Sequence, residues 1–182
     1  EYDRWLNGKL DDLERAMDWA KEAGIKFVID LHCLPGGRNL NSNMRMFAEK
    51  KYGDHFIEVW KRIAKRFRGH PAVWAYDLIN DPTQVTPAPF DYWTTQKNAA
   101  EAVRAIDPDP PVIIESNEAD RPQTYPYLSP LAMDNVIYQV HMYVPGQFTH
   151  QFVHNAFGEQ GGKNFIRYPC LLYTSDAADD LI

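Results

Sequence analysis

With 182 residues, 45% hydrophobic and 13% aromatic, the chain is long enough to bury the core of one ordinary domain. A formal net charge of -6 without any basic stripe excludes a surface built to grip a phosphate backbone, so nucleic acid is not an expected partner. No apolar run reaches the roughly 20 residues of a membrane span, and Cys33 and Cys170 lie too far apart to suggest a disulfide framework or a zinc ribbon.

Leu10, Leu13, Met17 and Ala20 recur at helical spacing, Asp11 and Asp12 suit the positive end of a helix, and Gly24 is placed as its stop. The pattern predicts a helix from about Lys9 to Ala23. IKFVIDLH, Ile25 to His32, then reads as a strand with Asp30 and His32 near its end and a loop at Pro35, Gly36 and Gly37. Asp54 is suited to cap a helix whose Phe56, Trp60, Ile63, Ala64 and Phe67 form a core-facing stripe, with Gly69 ending it.

The next stretch, VWAYDLINDP from Val73 to Pro82, is apolar until Asn80 and Asp81 arrive together. It reads as a buried parallel strand with a polar tip, and ligands in such folds bind beyond the carboxyl ends of the strands. Pro82 turns the chain away; taken alone, Asn-Asp-Pro serves equally well as simple turn chemistry. After a loop, Pro82 to Pro89, a helix is expected from about Asp91 to Ile106, burying Tyr92, Ala99, Val103 and Ile106. PVIIES predicts a strand at Val112 to Glu115, and VIYQVHMY one at Val136 to Tyr143, with a short helical possibility near Pro130 to Met133 between them. Strands alternating with helices at this spacing predict an α/β fold with a parallel sheet.

The expected strand ends carry His32, then Asn80 with Asp81, then Ser116 with Asn117, then His141 with Tyr143. Any one of these fits a satisfied structural group, but polar tips on four strands are the habit of the (β/α)8 barrel. The segments VIDLHCLPGGRN, VWAYDLINDP and NVIYQVHMY resemble strands three, four and six of the family 5 glycoside hydrolases, the cellulase and mannanase family. The resemblance runs from about residue 1 to about residue 169. It implies a partial (β/α)8 TIM barrel with parallel strands, incomplete at both ends, and residues 170–182 as a non-native or disordered tail. That tail, CLLYTSDAADDLI from Cys170 onward, resembles translated sequencing-adapter read-through.

By resemblance, Asp81 takes the general acid/base position, Asn80 the contact to the sugar 2-hydroxyl, His32 the third-strand histidine, and His141 and Tyr143 the sixth-strand pair. Asn39, in the glycan-contacting PGGRN loop, and Asn117 are the expected substrate-binding residues. The implied partner is a β-linked polysaccharide of cellulose, β-glucan or mannan type, cleaved with retention by two carboxyl groups and without cofactor or metal. An extracellular or periplasmic location follows from the family, and open strand edges predict self-association.

The chain departs from the family at two catalytic positions. The family motif is Asn-Glu-Pro, where this chain has Asn80, Asp81 and Pro82, which withdraws the carboxyl by one methylene. The seventh-strand glutamate nucleophile has no match: Glu159 sits among Gly158, Gly161 and Gly162 in a predicted loop, and Glu115 reads as structural. The chain as it stands is therefore expected to be inactive. The alternatives are a non-catalytic carbohydrate-binding protein and a metal-dependent barrel hydrolase using His32 and His141, although no third ligand is evident.

Overall fold

The computed structural model describes residues 1–143 together with Thr149 and His150. The chain divides into two compact units, Glu1–His141 and Met142–Ile182. In the second unit the Thr149 hydroxyl donates to the Tyr143 carbonyl at 2.7 Å, and the rings of Tyr143 and His150 lie 5.2 Å apart. The region around Glu159 and the tail from Cys170 lie outside the described residues.

The first helix, α1, spans Tyr2–Ala23 and begins earlier than the pattern suggested, because Leu6 extends the buried stripe of Leu10, Met17 and Ala20 by one turn. Gly24 closes it with φ 69°, its N–H reaching the Ala20 and Lys21 carbonyls. Strand β1, Phe27–Asp30, is followed by the short helix α2, Arg45–Ala48, and by α3, Lys50–Phe67. Asp54 does not cap α3: it lies inside the helix, where its carboxylate meets Lys50 Nζ at 2.6 Å, an i,i+4 pair.

Strand β2 is Val73–Asp77, so the chain leaves the sheet three residues before Asn80. Asp91 caps α4, Tyr92–Arg104, by accepting the Thr94 N–H at 2.7 Å. Strand β3 spans Val112–Glu115, as the sequence predicts, and β4 spans Val136–Gln139, ending short of His141. The connection between them carries a helical turn at Asn117–Asp120 and a 3-10 helix at Pro122–Tyr127. No helix forms at Pro130 to Met133, where the Leu131 N–H donates to the Tyr138 hydroxyl instead of to a helical carbonyl.

All four strands are parallel, in the order β1-β2-β3-β4. Side chains alternate across a sheet with a period of two, and the two faces differ. Phe27, Ile29, Tyr76, Val112, Ile114 and Val136 join the core with α3 residues Phe56, Trp60, Ile63 and Phe67 and α4 residues Ala99 and Val103. Trp60 packs edge-on to Tyr76 at 5.9 Å and donates its indole N–H to the Leu78 carbonyl. The other face presents Asp30, Asp77, Glu115 and Gln139 at the carboxyl ends of their strands, in register Asp30 with Asp77 and Glu115 with Gln139.

Candidate active site

Buried Leu78 and Ile79 anchor the chain beyond β2 before it turns at Asn80, Asp81 and Pro82. Asp81 adopts φ 51°, the left-handed region that L residues avoid, and it does so immediately before a proline. Its backbone is held from two sides. Arg38 Nη2 donates to the Asn80 and Asp81 carbonyls at 3.2 and 2.8 Å, while the Asp81 N–H donates to Glu115 Oε2 at 2.8 Å. Such strain persists only where the surroundings over-determine it, and it gathers at functional sites.

Held this way, Asp81 Oδ1 meets His141 Nδ1 at 2.7 Å. The ring's other nitrogen faces Glu115 Oε1 at 3.5 Å and Gln139 Nε2 at 3.0 Å. Gln139 Nε2 also donates to Glu115 Oε1 at 2.9 Å and to Asp77 Oδ2 at 3.1 Å. Three strand ends thus converge on one imidazole. The nearby backbone is tied in as well: the His141 N–H donates to the Asp120 carbonyl, and the Asp120 carboxylate accepts the Ser116 N–H and the Tyr125 hydroxyl.

Crowding carboxyl groups in a dry site penalises their charged forms. Burial, with Asp77 and Asp120 adding repulsion, pushes Glu115 up to about 9. Burial and the charge of Asp30 push Asp77 up to about 7, and Asp120 is also raised, chiefly by burial. At neutral pH Glu115 is therefore a neutral acid. Asp81, Glu115 and His141 offer donor atoms within 4.8 Å of one another. Each ring nitrogen of His141 already faces one of the two acids, so the arrangement is a carboxyl–imidazole–carboxyl chain and not a set of ligands around a shared centre.

The other expected site residues are distributed around this centre. His32 is exposed, with Nδ1 2.9 Å from Asp30 Oδ2, and it shares a cleft of about 350 Å³ with Arg38, Asn80, Asp81 and Thr83. His32 and Arg38 also border a larger hollow of about 660 Å³, walled by Tyr2, Trp5 and Leu34. Asn39 uses Oδ1 to accept the Asn41 and Asn43 N–H groups, shaping its own loop. The Asn117 amide is engaged with the Gln84 backbone as both acceptor and donor. Tyr143 belongs to the second compact unit. Asp77, Gln139 and Asp120 are not among the residues expected from the sequence, in which Glu115 reads as structural. A period of two counted across IDLH, YDLI, IIES and YQVH would have singled out Asp30, Asp77, Glu115 and Gln139 together.

The chain is similar to proteins of one family. Residues 3–170 match the model of the cellulase family, glycosyl hydrolase family 5. Endoglucanase C of Acetivibrio thermocellus is 26% identical over 161 residues, covering 88% of this chain and 46% of that protein. A probable glucan 1,3-beta-glucosidase A of Aspergillus fumigatus is 33% identical over 120 residues, covering 60% of this chain and 28% of that protein. The crystal structure of endoglucanase Cel5A from Thermotoga maritima superposes with a TM-score of 0.70 at 20% identity, over 94% of this chain and 54% of that one. The chain thus spans about half or less of the length of these relatives, and its parallel α/β sheet is part of a (β/α)8 barrel. With the family model covering nearly all of its length, the chain belongs to glycosyl hydrolase family 5.

Proposed function

We propose that the chain is part of a glycosidase that hydrolyses a β-linked polysaccharide of cellulose, β-glucan or mannan type, with Asp81 as general acid/base. The observation that carries this reading is the 2.7 Å contact between Asp81 Oδ1 and His141 Nδ1 at the carboxyl end of a parallel sheet, with Asn80 and His32 on the adjoining cleft. An acid that must deliver and later remove a proton needs fixed orientation, and the imidazole supplies it. Asn80 is assigned to the sugar 2-hydroxyl, His32 to the family's third-strand histidine, His141 and Tyr143 to its sixth-strand pair, and Asn39 and Asn117 to substrate binding. The endoglucanase and glucosidase names of the relatives support a glucan as substrate. The family's location, outside the cell or in the periplasm, is proposed with it.

A retaining mechanism requires a second carboxylate, about 5 Å from the first, that attacks the anomeric carbon. Glu115 has the spacing but not the character: it is fully buried, it accepts the N–H of Asp81 itself, and it is neutral at pH 7. The nucleophile is therefore assigned to the portion of the relatives that this chain does not span, and the 182-residue chain alone is expected to be inactive. The test is release of reducing ends from carboxymethylcellulose, glucomannan and β-glucan. No turnover is expected from this chain. Turnover is expected from a barrel completed with the missing strands, and its loss on Asp81→Asn. In that completed barrel Asp81→Glu restores reach and raises the rate, by up to about 100-fold; an unchanged or lower rate would remove Asp81 from the acid/base role.

A further inference from the structure

We propose that Glu115 is a positioning residue for Asp81: its buried carboxyl holds the Asp81 backbone in the left-handed turn that directs the Asp81 carboxylate onto His141. The role rests on the assignment of Asp81 as acid/base only for its functional meaning; the geometry stands without it. Glu115 is completely buried at the end of β3, yet its two oxygens are spent on the site and not on the core. Oε2 accepts the Asp81 N–H at 2.8 Å, and Oε1 accepts from Gln139 at 2.9 Å while facing the His141 ring. A core strand gains nothing from a buried carboxyl, which is costly to desolvate. Here the group instead closes a loop of contacts from the backbone of Asp81 back to its side chain, through His141.

Both halves of the clamp are needed. A residue before proline resists φ 51°, and Arg38 grips only the carbonyl side of the peptide. Without Glu115 the N–H side of Asp81 loses its acceptor. The groups facing Glu115 are Asp77 on β2, Asp81 beyond it, Asp120 in the turn after β3, Tyr125 on the 3-10 helix and His141 beyond β4. Gln139 donates to Glu115 and Asp77 at once and steadies their charged forms, but burial and the repulsion of Asp77 and Asp120 outweigh it and keep Glu115 uncharged in the resting site.

The reporter is the Asp81 backbone amide, followed by NMR in the 15N-labelled 182-residue chain, so no turnover is required. In the unmodified chain that amide exchanges slowly, and its proton shift moves with a midpoint near 9 as Glu115 ionises. In Glu115→Gln, which keeps one acceptor oxygen but cannot ionise, the slow exchange is retained and the alkaline step disappears. In Glu115→Ala the Asp81 amide exchanges about tenfold faster or more, as loss of a hydrogen bond to a buried acceptor implies, while the amides of α3 are unchanged. Persistence of the alkaline step in Glu115→Gln, or unchanged Asp81 exchange in Glu115→Ala, overturns the proposal. If Glu115→Ala does not fold, Glu115→Gln decides the matter by itself.

Discussion

The two faces of the four-stranded sheet use the same strands for opposite purposes. On the helix-facing side Tyr76, Val112 and Ile114 pack with Trp60 and Phe67, the Trp60 indole is paired with the Leu78 carbonyl and the Tyr76 hydroxyl with Asp107. On the other side, one residue along each strand, Asp77 and Glu115 are just as buried but carry raised pKa values. Among the described residues the buried atoms Asp77 Oδ1, Ser116 Oγ, Asp120 Oδ2 and, on α4, Arg104 Nε have no hydrogen-bond partner. One face lowers the free energy of the fold, and the other buries ionisable carboxyl groups near the cleft at a desolvation cost. The contrast shows that burial alone does not distinguish core from site; the ionisable groups that burial encloses do.

Substitutions on each face can break or sharpen this contrast. The largest effect is expected on the helix face, where Trp60→Ala removes a fully buried ring and leaves the Leu78 carbonyl without its donor. The cost is about 3–5 kcal/mol by urea denaturation. A loss below about 1 kcal/mol would mean that the helix face does not carry the stability assigned to it. A smaller loss, about 1–3 kcal/mol, is expected from Tyr76→Phe, which strands the Asp107 carboxylate in a buried setting. No measurable change there would show that the pairing of that acid is unimportant.

The smallest effect is a change of slope on the opposite face. The pKa of Asp77 is raised on folding, so the folded state holds a proton that the unfolded chain has released. Stability from this group is present at low pH and is lost as pH rises from its unfolded value near 3.8 to about 7. Asp77→Asn removes that loss. The urea midpoint of the variant should fall less between pH 5 and pH 8 than that of the unmodified chain, and equal falls would contradict a buried, protonated Asp77.

Much of the fold was legible because apolar periodicity and helix stops are local. Val112–Glu115 matches its expected limits, and α4 and the Gly24 cap differ from theirs by a residue or two at most. The early start of α1 and the uncapped Asp54 were not legible, since both depend on what the first turn packs against. VWAYDLINDP and VIYQVHMY leave the sheet earlier than their apolar pattern predicts, at Asp77 and Gln139. His141 and Asp81 sit in loops, and only their approach across the sheet makes them a pair. A lone glutamate closing an apolar strand reads as structural, and its contacts to the Asp81 N–H and to Gln139 exist only in the fold.

By itself the sequence determined the parallel α/β architecture and the family. These follow from patterns that a chain carries along its length. Only the tertiary structure decided that Asp81 is bent into a left-handed turn, that an imidazole just beyond β4 completes its contacts, and that Glu115 lies behind both. Those relations join residues 34 and 60 positions apart. Their energies exist only when the sheet brings the strand ends within hydrogen-bonding distance.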